Sequence, residues 1–153
     1  MEYDIVTLEE KKVIGLEGRT SNQDPRMQEV IGGLWQQLYG QGCYGQIQDK
    51  SNDRAIGLYS DYENQDAGLY SITVGCEVKA VPDVIAEPFV LKVIPAGRYA
   101  RFEIYGDEVE AVGQLWGEIW KLPLKRTFTG DFEEYYPVEE GREPKICVYI
   151  AVR

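Results

Sequence analysis

The chain lacks histidine altogether, has only three cysteines and contains no long apolar run. Without histidine, His-based catalytic triads, His-ligated zinc or iron and His-ligated haem are excluded. Cys43, Cys76 and Cys147 stand far apart without metal-ligand spacing, so we expect reduced thiols, no bound metal and a cytoplasmic protein. No stretch approaches the roughly 20 apolar residues of a membrane span, and the acidic N-terminus does not resemble a signal peptide.

Basic residues are also scarce. The 16 Lys and Arg residues are outnumbered by 26 Asp and Glu residues, which gives a net charge of -10. Binding to nucleic acid requires clustered positive charge, so no nucleic-acid partner is expected. An acidic surface either attracts cations or simply keeps the protein soluble. The phosphate-binding patterns GxxxxGK[ST] and GxGxxG are absent, and no cofactor is expected.

What the chain does contain is a repeat. The phrase Leu34-Trp35-x-x-Leu38-Tyr39 returns as Leu115-Trp116-x-x-Ile119-Trp120, in a chain whose 153 residues predict one domain. A weaker echo pairs Asp61-Tyr62-Glu63 with Asp131-Phe132-Glu133, and we interpret both of these segments as lying in the strand that follows each helix. The repeats indicate a duplicated half-domain, and a seam between two modules is a common place for a ligand cleft.

Hydrophobic periodicity divides each half into a strand, a helix and two further strands, which is an α+β arrangement. In the first helix, Asp24-Pro25 predicts the start and Gly40 the end; in the second, Asp107 predicts the start and Pro123 the end. Residues 43–53 are predicted to form a loop. Module one covers about residues 1–80 and module two about 88–153, with a linker between them. The predicted strands are residues 3–7, 12–20, 54–62, 69–78, 89–94, 98–105, 131–136 and 146–152.

Aromatic residues concentrate where the two halves would meet. Trp35, Tyr39, Trp116 and Trp120 lie on the apolar faces of their helices, where they could be core residues or walls of a cleft. The strand tyrosines lie on the predicted inner hairpins, and they are Tyr59, Tyr62, Tyr70, Tyr135, Tyr136 and Tyr149.

One acidic residue lies among these aromatics. Residues two apart share a sheet face, so Glu133 and Tyr135 should point the same way. Glu133 could equally be a solvent-facing residue on an edge strand. A buried carboxylate in an aromatic pocket could pair with a cationic ligand, aided by cation–π attraction of about 0.5 to 2 kcal/mol per contact. It could also act as a general acid or base if burial raised its pKa.

Four segments in this order resemble the GyrI-like small-molecule-binding family, found as the effector domain of AraC/Rob-type and MerR-type multidrug regulators and as stand-alone proteins. The segments are Ile94-Pro95-Ala96-Gly97-Arg98-Tyr99-Ala100-Arg101-Phe102, the second helical phrase at residues 115–120, Asp131-Phe132-Glu133-Glu134-Tyr135, and Val148-Tyr149-Ile150-Ala151-Val152. The family often has Pro where Ala151 stands. The resemblance implies two βαββ modules that form one curved antiparallel sheet, with two main helices and a ligand cleft on a pseudo-twofold axis.

The resemblance also implies a site. Family members typically bind lipophilic, often cationic, aromatic compounds, and Glu133 occupies the position of the acidic residue at the centre of the cleft. The walls would be Tyr135, Tyr149, Trp116, Trp120, Trp35, Tyr39, Tyr59 and Tyr70. We expect no helix-turn-helix beyond the two modules. Three functions stay open: a stand-alone binder of amphipathic aromatic molecules, a hydrolase of cyclopropane-bearing genotoxins that uses Glu133 and Tyr149, and an inhibitor of a gyrase-like partner.

Overall fold

A computed structural model describes residues 2–65 and 67–153. Two main helices, α1 (Met27–Gly40) and α3 (Glu110–Ile119), and a short helix, α2 (Cys43–Gln46), accompany one sheet. Its eight strands are β1 (Asp4–Leu8), β2 (Lys11–Ser21), β3 (Ala55–Ser60), β4 (Leu69–Glu77), β5 (Val90–Ile94), β6 (Gly97–Tyr105), β7 (Asp131–Tyr135) and β8 (Lys145–Val152).

The strand order makes the duplication visible. The sheet runs β1-β6-β8-β7-β3-β4-β2-β5, and exchanging the two βαββ units, β2-α1-β3-β4 and β6-α3-β7-β8, reproduces the same order in reverse. We call these units module one and module two. All pairings are antiparallel, and the predicted α+β fold with one open curved sheet is confirmed. The seam between the modules is the β3–β7 pair.

The strand that precedes each module belongs to the sheet of the other one. β1 pairs with β6 of module two, and β5 pairs with β2 of module one. The turn at residues 95–97 therefore joins β5 to β6 without making a hairpin, because the two strands lie at distant positions in the sheet. The predicted division at residues 80 and 88 falls in the connection between β4 and β5, and as a domain boundary it stays a prediction.

The helix starts follow the acidic residues that precede them. An Asp24 carboxylate oxygen accepts the backbone N–H of Arg26 at 2.8 Å, and α1 begins at the next residue rather than at Pro25. Asp107 accepts the N–H groups of Val109 and Glu110 at 2.9 and 2.8 Å. These contacts satisfy backbone donors that have no partner within the first helical turn.

Two sequence predictions were wrong. The predicted loop at residues 43–53 contains α2, which is too short for a helical period to be recognised, and which begins at the buried Cys43. The echo between Asp61 and Asp131 does not mark equivalent positions. Asp61 follows the end of β3 with φ of 52°, whereas Asp131 is the first residue of β7. The register instead places Gly57 opposite Glu133.

The core consists of three apolar clusters. One lies between α1 and module one's strands, one lies between α3 and module two's strands, and the third, around Phe132 and Tyr149, lies on the other face of the sheet. The three cysteines are free and buried. In the described part of the chain, no helix is both long and apolar enough to cross a lipid bilayer.

Candidate functional site

A cavity of about 750 Å³ lies between α1 and α3, above the seam of the sheet. Eight residues predicted as ligand-binding line it, and they are Trp35, Tyr39, Tyr59, Tyr70, Trp116, Trp120, Glu133 and Tyr135. The two helices face the cavity from opposite sides, so the pseudo-twofold arrangement of the modules creates the space. Whether these residues bind a ligand stays a prediction.

Glu133 is the central polar group of the cavity and is only 2% exposed. The indole N–H of Trp116 donates to its Oε2 at 2.7 Å, and the Tyr59 hydroxyl donates to the same atom at 3.2 Å. The Tyr135 hydroxyl donates to Oε1 at 2.7 Å, which confirms that residues 133 and 135 share a face. Three donors from β3, β7 and α3 therefore fix the carboxylate at the seam.

The electrostatic setting of Glu133 is unusual for a carboxylate. Burial raises its pKa above the ordinary value, and the hydrogen bonds from Tyr135, Trp116 and Tyr59 oppose that rise. No Lys or Arg within residues 2–65 and 67–153 forms an ion pair with it. Burial followed by the nearby Glu133 charge also holds the pKa of Tyr59 and of Tyr135 well above normal, so both hydroxyls stay protonated donors.

Aromatic rings surround the carboxylate. Tyr59 meets Trp116 edge-on at 5.5 Å between ring centroids, and Trp35 meets Tyr135 edge-on at 5.1 Å. At the mouth the rings become accessible, since Tyr39 is 56% exposed and Trp120 is 53% exposed. Edge-to-face contacts of this kind leave ring faces available to a planar or cationic guest.

A second polar cluster at the cavity was missed by the sequence reading. Asp131 is fully buried and accepts hydrogen bonds from Tyr62 at 2.6 Å, Arg126 at 2.8 Å and the backbone N–H of Ala151 at 2.8 Å. The two-residue spacing from Glu133 could have drawn attention to Asp131. Arg126 lies in the irregular connection before β7, where no periodicity signals which way a side chain points. Residues that line the cavity and were not among the predicted site residues include Asn22, Met27, Gln28, Asp53, Glu108 and Val109.

The prediction that Tyr149 is a wall of the cleft was wrong. Tyr149 pairs directly with Phe132, not with Glu133, and directly opposed residues of neighbouring strands share a face. Its ring stacks on Phe132 at 4.4 Å on the face away from the helices. Its hydroxyl donates to Glu134 at 3.5 Å and accepts from Arg101 at 3.3 Å. A catalytic role beside Glu133 is excluded by this position.

The fold and the cleft together define a GyrI-like effector-binding domain, which is a small-molecule-binding module. The chain belongs to the Cass2 family of integron-associated effector binding proteins, whose family model matches residues 4–152.

Three relatives illustrate the range of this similarity. The chain is 34% identical to YobU of Bacillus subtilis (strain 168), named as a candidate transcriptional regulator, with 97% of this chain and 96% of YobU covered. It superposes on the integron cassette protein VCH_CASS2 of Vibrio cholerae with TM-score 0.80 and 29% identity, covering 99% and 95% of the two chains. The structure of SAV2435 bound to tetraphenylphosphonium shares the fold, with TM-score 0.81, 20% identity and coverage of 100% and 94%.

Proposed function

We propose that this protein binds lipophilic, cationic aromatic molecules in the cleft between its modules, with Glu133 as the counter-charge. The observation that carries the proposal is the setting of this carboxylate. Glu133 is buried among aromatic rings, receives three neutral donors and forms no ion pair with a described Lys or Arg. A buried carboxylate without a cation is costly, and a ligand cation would remove that cost.

The dimensions and walls of the cavity support the same ligand class. A volume of about 750 Å³ falls within the range of small-molecule sites, which is roughly 300–1,000 Å³. Trp and Tyr faces attract a delocalised cation more effectively than they attract a strongly hydrated one. The related fold of SAV2435 was solved with tetraphenylphosphonium, a cation of this type, which makes that compound a suitable first probe.

The test is a calorimetric titration of the wild-type protein and Glu133→Gln with tetraphenylphosphonium. The substitution keeps the size of the side chain and removes its charge. We expect the variant to bind at least about tenfold more weakly, equivalent to about 1.4 kcal/mol. Neutral triphenylphosphine oxide, which lacks the charge, should lose no affinity in the variant. Equal affinity of both proteins for the cation would exclude Glu133 as the counter-charge.

The neighbouring residue provides a matched control. Glu134 is also buried, but it lies on the other face of the sheet, where Arg54 pairs with it at 3.4 Å and Tyr136 donates to it at 3.2 Å. Glu134→Gln should therefore lower the melting temperature and leave cation affinity unchanged. Glu133→Gln should instead raise the melting temperature and weaken cation affinity. It removes a buried charge that destabilises the ligand-free fold.

A hydrolase of cyclopropane-bearing genotoxins is the second candidate function. It is favoured by one feature: a carboxylate of raised pKa and two protonated tyrosine hydroxyls lie in one site. Incubation with a cyclopropane-bearing DNA-alkylating compound, followed by mass analysis, tests it. A product that gains one water, formed catalytically by the wild type and lost in Glu133→Gln, would establish hydrolysis; its absence leaves the binding protein. The gyrase-partner alternative stays a prediction without structural support of its own.

A further inference from the structure

We propose that Gly57 is the residue that positions the Glu133 carboxylate, because its missing side chain leaves the space that the carboxylate and helix α1 share. Gly57 lies on β3 directly opposite Glu133 on β7, at the seam between the modules. Directly opposed residues have Cβ positions about 4.5–5.5 Å apart on the same sheet face. The inference rests on the proposed cation-binding function of Glu133.

The contacts around Gly57 show how little room is left. A Cβ atom there would lie 3.2 Å from Oε1 of Glu133 and 3.3 Å from Cζ2 of Trp35. Both distances are tighter than ordinary contacts, so both neighbours would have to give way by a few tenths of an ångström. Gly57 is not among the glycines with positive φ, and so the requirement is for space rather than for a special backbone conformation.

The pseudo-twofold arrangement also explains why an acidic residue at position 57 would be unfavourable. β3 and β7 are equivalent strands in the two modules, and positions 57 and 133 face each other across the seam. An acid at both positions would bring two carboxylates into one buried site, where they could not both ionise. Module one therefore has a glycine, Gly57, directly opposite the carboxylate that module two contributes, Glu133. This arrangement leaves one carboxylate rather than two at this pair of positions.

The methyl group of an alanine at position 57 would contact Oε1 of Glu133, which is also the atom that the Tyr135 hydroxyl binds. Oε1 of Glu133 accepts the Tyr135 hydroxyl at 2.7 Å. Burial raises the pKa of Glu133, and this hydrogen bond opposes the rise more than any other contact does. Displacing Oε1 would weaken the bond, raise the pKa of Glu133 further and move the pH range in which the cleft is charged.

The tyrosines that face Glu133 do not titrate in the pH range of interest, so a shift in the pH dependence of binding can be assigned to Glu133. Tyr59 and Tyr135 donate to it and have pKa values well above normal, and burial raises the pKa of Tyr70 to about 12. These phenols stay neutral between pH 5 and 9. The charged side chains on the cavity wall are Asp53, Glu108 and Arg126, in addition to Glu133, and the buried Asp131 pairs with Arg126 beside it. They are common to the wild type and the variant described next.

The experiment compares Gly57→Ala with the wild type by titrating tetraphenylphosphonium at several pH values. Lengthening this hydrogen bond should raise the pKa of Glu133, so the cation should bind more weakly at pH values near that pKa. The pH at which binding reaches half its maximum should also move upward. Gly33→Ala is the matched control, since it adds the same methyl group to α1 with no atom within 4 Å. It should keep both the affinity and the pH midpoint of the wild type.

Two results would overturn the assignment. One is wild-type affinity and midpoint in Gly57→Ala; the other is weaker binding with an unmoved midpoint, which would mean that the methyl group only obstructs the ligand. If Gly57→Ala alone fails to fold, adding Trp35→Phe removes the indole atom on the helix side and keeps the contact with Glu133, with Trp35→Phe alone as reference.

A ligand-free measurement separates this inference from the proposed function. Carbon-13 NMR of the Glu133 carboxyl, assigned by its loss in Glu133→Gln, gives the pKa in wild type and in Gly57→Ala. A higher pKa in Gly57→Ala supports the positioning role even if tetraphenylphosphonium does not bind. An unchanged pKa overturns that role even if the wild type binds the cation tightly.

Discussion

Module one and module two give the cleft similar walls but different chemistry. Each helix places two aromatic side chains on the cavity, Trp35 and Tyr39 from α1 and Trp116 and Trp120 from α3. Trp116 donates its N–H to Glu133, whereas Trp35 packs edge-on against Tyr135. The two modules thus supply similar apolar walls, and differences in a few residues at the seam supply the buried carboxylate of one module only.

The largest expected effect concerns Glu133, the central carboxylate of the cavity. Tetraphenylphosphonium carries a pH-independent charge, so its affinity should rise about tenfold per pH unit below the pKa of Glu133 and level off above it. That pKa lies above the ordinary value of 4.5 because of burial. Calorimetry between pH 4.5 and 9 measures the curve, and Glu133→Gln should flatten it. A flat wild-type curve would contradict the asymmetry between the modules.

The stability of the ligand-free protein should fall as pH rises, whereas the affinity for the cation should rise. The folded protein keeps the Glu133 proton at pH values where the unfolded chain has lost it, so this group makes the free energy of unfolding fall as pH rises from 4.5 through the raised pKa. The contribution of Glu133 to the free energy of unfolding is present in full at pH values below the pKa of this group in the unfolded chain. Subtracting urea-unfolding curves of Glu133→Gln from those of the wild type isolates it from the other carboxylates.

A smaller effect should distinguish the two equivalent tryptophans. Trp116→Phe removes a hydrogen bond that opposes the raised pKa of Glu133, so that pKa should rise further and binding of the cation should weaken most at pH values near it. Trp35→Phe removes ring surface only and should weaken binding about two- to threefold. Fluorescence or calorimetric titration measures both. Equal losses would mean that the N–H of Trp116 contributes nothing specific, and the modules would then be functionally symmetric.

The smallest effect is expected where the modules remain alike. Tyr39 and Trp120 are each more than half exposed at the mouth of the cavity. Exposed cation–π contacts contribute about 0.5–1 kcal/mol, so Tyr39→Ala and Trp120→Ala should each weaken tetraphenylphosphonium only about two- to fivefold. A loss greater than tenfold in only one variant would show that the ligand lies towards one module rather than on the seam.

Local patterns in the sequence were sufficient to predict most elements of the fold. Strands β1 to β8 follow period-two or continuous apolar runs, and the two main helices follow a clear 3.6-residue period. The exchange of β1 and β5 between the modules was not predictable. Strand partners depend on which edges meet in space, and no property of residues 4–8 or 90–94 alone names a partner.

The candidate site divides in the same way. Spacing placed Glu133 and Tyr135 on one sheet face and the helix aromatics on the apolar helix faces, because a period of two or of 3.6 fixes which residues share a face. The resemblance to the GyrI-like family implied the central position of Glu133. Tyr149 was misplaced because knowing that a strand alternates does not say which of its faces meets the cleft. A shift of one residue in pairing reverses every side chain, and only the observed register with Phe132 decided the matter.

The sequence by itself determined the duplication, the acidic character, the absence of histidine chemistry and the aromatic faces of the helices, since all of these follow from residue identity and local period. The tertiary structure alone decided that Glu133 is buried without a described cationic partner and that Gly57 faces it. Burial and cross-strand contact depend on segments distant in sequence, here β3, β7 and α3, being brought together by the packing of two modules.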